Sequence, residues 1–147
     1  MVTRRGTAAL AVGAAVCFTG VPLAAGTADA AVAPKCSSTP WTSDPVVISR
    51  ADQWSYAYRL TWCVEGSEII WVEPSVTHEE VPDTCTWVGS MEEWVRPGPG
   101  GSWTAFNLSE FRCQVTTATV SKGVNPWVIL NVFPDGSYAV VEKGIAE

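Results

Sequence analysis

Histidine is nearly missing from this 147-residue chain: His78 is the only one. A Ser nucleophile needs a base of that kind, and the strained G-x-S-x-G turn that would present it is absent too. The carboxylate doublets Glu79-Glu80 and Glu92-Glu93 do not fill the gap. Neighbours on a strand point to opposite faces, so neither doublet forms a glycosidase acid–base pair by adjacency. Basic residues number nine against fifteen acidic ones, giving a net charge of −6 and a pI near 4.7. Neutralising phosphates needs the opposite balance, which argues against a nucleic-acid partner. No two cysteines stand at C-x-x-C spacing, and no stretch carries oxygen ligands densely enough for a calcium loop. We therefore expect no metal, no cofactor and no catalysis. A small hydrolase built on His78 with Glu79 or Asp83 is the distant alternative.

Long apolar runs are confined to the start. Residues 1–30 read as a secretory leader, with Arg4 and Arg5 ahead of an Ala/Val/Leu-rich stretch and Ala28-Asp29-Ala30 as the cleavage site. A cut after Ala33 is the close second. Gly20, Pro22 and the lack of a basic stop-transfer cluster speak against a membrane anchor, so no membrane association is expected once the leader is removed. Losing the leader also removes Cys17 and leaves Cys36, Cys63, Cys85 and Cys113, an even number in an exported protein. Two disulfides follow. Of the three possible connectivities, Cys36–Cys63 with Cys85–Cys113 is preferred, because the shorter loops close more readily.

Helical periodicity is absent from the remainder. Residues 31–45 are rich in Pro, Ser, Thr and Ala and read as a flexible arm tethered at Cys36; residues 46–147 read as one β-domain. Its clearest strand is 53–65, where Trp54, Tyr56, Tyr58, Leu60, Trp62 and Val64 alternate with smaller or polar residues. Gly66-Ser67 makes a two-residue hairpin into 68–73, and Pro134-Asp135-Gly136 joins 127–133 to 137–142. Weaker strands are expected at 75–81, 85–88, 103–107 and 110–120, with a turn over 122–126. Residues 91–95 fit either a strand or one helical turn capped by Ser90, and Arg96–Ser102 (RPGPGGS) reads as a flexible loop. The sum is an all-β chain: a small antiparallel β-sandwich or barrel of about seven or eight strands, stapled by two disulfides.

Eight tryptophans are more than a domain of this size easily buries. Trp54, Trp62 and Trp71 are expected in the core. Trp41 lies in the arm, Trp94 and Trp103 bracket the RPGPGGS loop with Arg96 at its start, and Trp87 follows Cys85 closely. These five, Trp41, Trp87, Trp94, Arg96 and Trp103, are the candidate partner-binding residues, since exposed indoles and Arg mark recognition surfaces. Asn107-Leu108-Ser109 matches a glycosylation sequon. The function expected is that of a secreted binding module for an extracellular protein, either an adaptor docking through its arm or a hydrolase inhibitor presenting Arg96–Ser102. A carbohydrate-binding module that stacks sugars on Trp87, Trp94 and Trp103 is the alternative.

Overall fold

Period-two alternation places Trp54, Tyr56, Tyr58, Leu60 and Trp62 on one face of a single long strand, and all five are buried there. The computed structural model describes residues 35–115 and 120–147. The leader, arm residues 31–34 and Thr116–Thr119 of the 110–120 stretch lie outside the described residues. Among the described residues there are eight strands: β1 (Trp41–Thr42), β2 (Val46–Arg50), β3 (Trp54–Glu65), β4 (Glu68–Glu80), β5 (Cys85–Pro97), β6 (Trp103–Gln114), β7 (Ser121–Val132) and β8 (Tyr138–Ala146). They form two antiparallel sheets. In the first, β3 pairs with β4 on one side and with β1 and β2 on the other; the second runs β5-β6-β7-β8. The buried side of β3 packs with Ala105, Phe111, Val124, Val128, Leu130 and Val132 of β6 and β7 in one shared core.

The disulfides pair as the loop lengths favour, Cys36–Cys63 and Cys85–Cys113. The second joins directly opposed residues of β5 and β6. The first ties the arm to β3, and the tether extends well beyond it. The Ser38 hydroxyl donates to the Val64 carbonyl, Trp41 and Thr42 pair with Trp62 and Thr61, and buried Ser43 exchanges hydrogen bonds with Leu60. From Cys36 onward the arm is thus tied along β3, first by the disulfide and the Ser38 hydrogen bond and then as the short strand Trp41–Thr42.

Several other boundaries differ from the sequence reading, each for a local reason. Residues 91–95 are strand, and β5 is continuous to Pro97; bulges at Trp87/Gly89 and Ser90/Glu92 disturb its alternation. The expected turn over 122–126 is the first half of β7. Pro126 has no N–H to give β6, and no backbone pairing is made between Leu108/Trp127 and Phe111/Val124. The Asn125 side-chain amide donates to the Ser109 carbonyl at 3.2 Å and fills that break. Arg96–Ser102 is no loose loop. Arg96 and Pro97 belong to β5, Pro99–Gly101 form a 3-10 turn, and Gly98 N–H donates to Ser102 O at 2.7 Å.

Candidate functional site

Because successive side chains alternate, the buried residues Ala105, Asn107, Ser109 and Phe111 of β6 fix the direction of their neighbours. Thr104, Phe106, Leu108 and Glu110 must face away from the core. In β7 the same logic turns Trp127, Ile129 and Asn131 outward against buried Val128, Leu130 and Val132. Register then sets rows across the sheet. Trp94, Phe106 and Ile129 form one row; Leu108, Trp127 and Gly144 form the next; Arg96, Thr104 and Asn131 form a third. Five large apolar side chains therefore adjoin one another on the outer face of the second sheet, each only partly exposed because each covers its neighbours.

The rows are tightly organised. Trp94 stacks on Phe106 with ring centroids 5.4 Å apart, and the Arg96 guanidinium lies 4.0 Å from the Trp94 ring centre. Trp127 spreads across Gly144, occupying the space a side chain there would take. Thr104 donates to the Asn131 side-chain oxygen at 2.8 Å, while Glu92 opposite Leu108 and Glu142 opposite Ile129 border the rows as exposed carboxylates. The outer face of the first sheet is built otherwise. Ser55, Ala57, Arg59 and Thr61 of β3 stand beside Glu73, Ser75, Thr77 and Glu79 of β4. One broad side is mainly polar, interrupted by Val47 and Trp71, and the other is mainly aromatic and aliphatic.

The five expected binding residues are dispersed. Only Trp94 and Arg96 lie on this face. Trp103 packs against the core. Trp41, half exposed, pairs with Trp62 and lies over Gly136 in the β7–β8 turn, at one end of the sandwich. Trp87 is at the other end, where it stacks on His78 at 4.4 Å and meets Phe111 edge-on at 5.0 Å. There the Glu80 carboxylate accepts the Trp87 backbone N–H at 2.9 Å and stands 3.5 Å from the His78 ring nitrogen. No Ser or Cys nucleophile accompanies His78 in these contacts. Trp71, expected in the core, is paired with Cys63 on the outer side of the first sheet.

Phe106, Leu108, Trp127 and Ile129 escaped the sequence reading. The signal that could have found them is that β7 is apolar at consecutive positions, Trp127-Val128-Ile129-Leu130. A strand of a two-layer sandwich needs only one apolar face, so a second one is surplus to the core.

Beneath this face lies a buried polar network. Tyr56 OH donates to Asn107 Oδ1 at 2.9 Å, Ser109 OH to the same oxygen at 2.7 Å, and the Asn107 amide to Ser90 and Glu93 at 3.0 and 2.9 Å. The sequon asparagine is therefore fully buried with its amide engaged, and this fold has no room for a glycan there. Burial, reinforced by the nearby Glu93 carboxylate, pushes the Tyr56 and Tyr58 phenols far above their ordinary range. Among the described residues, no cluster of His, Cys, Asp and Glu could hold a metal ion.

Comparison with known proteins finds no matching family model, no similar curated protein and no similar solved structure.

Proposed function

We propose that this chain is an exported, non-catalytic binding module that takes an extracellular protein partner on the outer face of β5–β8. The observation that carries the reading is the contiguous Trp94, Phe106, Leu108, Trp127 and Ile129 surface with Arg96 at its margin. Aromatic residues and Arg dominate the energetics of protein interfaces, while aliphatic side chains between them suit a shape-complementary protein surface. The uncharged polar side chains nearest the rings, Thr104, Asn131 and Asn125, hydrogen-bond within the sheet, and the groups left at the margin are the charges of Arg96, Glu92 and Glu142, which suit ion pairs with a protein surface. The adaptor form is retained, with its docking moved from the arm to the sheet, since the arm from Cys36 onward is occupied with β3.

One observation favours the carbohydrate alternative. Trp127 spread over Gly144 resembles an indole laid down for stacking on a pyranose ring. A single comparison separates the two readings. The folded protein and a Phe106→Ser/Trp127→Ser variant are immobilised and exposed to extracellular proteins of the producing cells, and in parallel to chitin, cellulose and a soluble glycan array. A protein partner held by the parent and by Trp41→Ala, but weakened roughly tenfold or more by the double change, supports the proposal. Retention on glycan alone transfers the face to sugars, and a partner captured equally by the double variant overturns the assignment.

A further inference from the structure

The second binding feature lies along the edge of the same sheet. β8 ends its sheet and β2 borders the other, and among the described residues no backbone hydrogen bond joins the two. They are bridged by side chains: Lys143 Nζ donates to the Val47 carbonyl at 3.3 Å, and Glu147 pairs with Arg50 and Lys122. The seam opens into a groove of about 320 Å³ lined by Val47, Ile48, Lys143, Gly144 and Ile145. It is apolar where a strand edge is normally blunted: Val47, Val140, Val141 and Ile145 are all among the exposed large hydrophobics.

Lys143 decides what can enter. It sits opposite Val128, a core-facing position, and among the described residues it has no carboxylate partner. Its ammonium reaches only a backbone carbonyl. With Arg50 and Lys122 it places three of the nine basic residues of an acidic chain around one seam. An uncharged strand entering here would remove that ammonium from water without compensation, and a basic strand would be repelled. A second copy pairing β8 against β8 would bring two Lys143 side chains into one interface. Only a strand with its own carboxylate restores the balance.

We propose that the β2/β8 seam receives an extended peptide segment of a partner protein. The segment adds to β8 along Glu142–Ala146 by backbone pairing and presents an Asp or Glu side chain to Lys143. This site meets the outer face of β5–β8 only at Gly144 and uses the backbone edge of β8, not the Trp94 and Phe106 rows.

The test uses a fluorescein-labelled nine-residue peptide of alternating Thr and Val with a central Glu, and its central-Lys counterpart, titrated into the disulfide-bonded protein. Fluorescence anisotropy should show saturable binding about fivefold tighter for the Glu peptide, a difference that fades in about 1 M salt. Lys143→Glu should invert the preference. Amide hydrogen exchange on the unaltered protein, which needs no variant to fold, should show new protection in 142–146, and a Trp94→Ser/Phe106→Ser variant, which leaves Trp127 on Gly144, should bind the peptide as the parent does. Equal affinity for the two peptides, protection on β4 or β5 instead, no binding at millimolar peptide, or β8 protection that follows protein self-association without peptide would each overturn the proposal.

Discussion

The indole of Trp127 lies in the side-chain space of Gly144: a Cβ built on that glycine would meet Cζ2 at 2.9 Å and Cε2 at 3.0 Å. The two residues are direct partners on β7 and β8, so the ring reaches across the ladder and not along it. Glycine here is a packing requirement on the outside of a sheet.

Gly144→Ala should therefore lift the ring and destabilise the fold by about 1–3 kcal/mol, the usual cost of overpacking. Chemical denaturation followed by tryptophan fluorescence measures it. Trp127→Ala should cancel most of the cost in the double variant, giving a positive coupling in the four-protein cycle. Independent, additive effects would show that ring and glycine do not meet.

Asn107 links Tyr56, Ser109, Ser90 and Glu93 through one side chain. Asn107→Ala leaves the buried Tyr56 and Ser109 hydroxyls without their acceptor and should cost about 2–4 kcal/mol in a urea titration. An unchanged midpoint would mean that the network contributes nothing net.

The chain has three tyrosines, and two of them, Tyr56 and Tyr58, hold raised phenol pKa values through burial. Raised in the folded state, they contribute stability that is complete below pH 10 and is lost as pH climbs above it. Ultraviolet titration should show Tyr138 ionising first. It too is raised, by its hydrogen bond to Asp44, but it lies at the surface. The other two should ionise only in one cooperative step that coincides with alkaline loss of far-ultraviolet strand signal. Two early phenol transitions in a folded protein would contradict the buried positions.

Glu147 is held down to about 2, from an ordinary 4.5, by hydrogen bonds and charge from Lys122 and Arg50. A depressed carboxyl stabilises the fold above its unfolded value, and that contribution fades as pH falls from about 4.5 towards 2. Glu147→Gln should leave stability near pH 2 unchanged and lower it modestly at neutral pH, the pair being exposed, so that the acid limb is flatter across that window. A carboxyl carbon resonance for Glu147 titrating near 4.5 would show the contacts to be absent in solution.

Much of this architecture was legible in the residues. Trp54 to Trp62 alternates without a break because β3 is central and its other side faces water, so one face had to be apolar and the other not; the period slips only at Cys63, buried by its disulfide. Gly66-Ser67 and Pro134-Asp135-Gly136 turn where the backbone demands it, with Gly66 and Gly136 both at positive φ. The aromatic outer face of β5–β8 was far less visible, because alternation reports the difference between two faces, and in β7 both are apolar. Pro126 inside a central strand looked like a turn, since the Asn125 side chain that fills the ladder break carries no sequence signature of that role. In β5, two bulges shifted the period just where Met91 to Val95 needed it. The sequence sets Arg96 at the start of a loop, whereas in the fold it ends β5 and lies over the Trp94 ring.

The contrast between the Ser/Thr/Glu side of the first sheet and the Trp/Phe/Leu/Ile side of the second gives the molecule an up and a down. Wherever it settles on an apolar patch, it can do so one way round, leaving a hydrophilic back exposed to the medium. The β8 rim, with Val140, Val141 and Ile145 exposed, stays open sideways, so contacts beyond the first layer would come from the rim and not from the back.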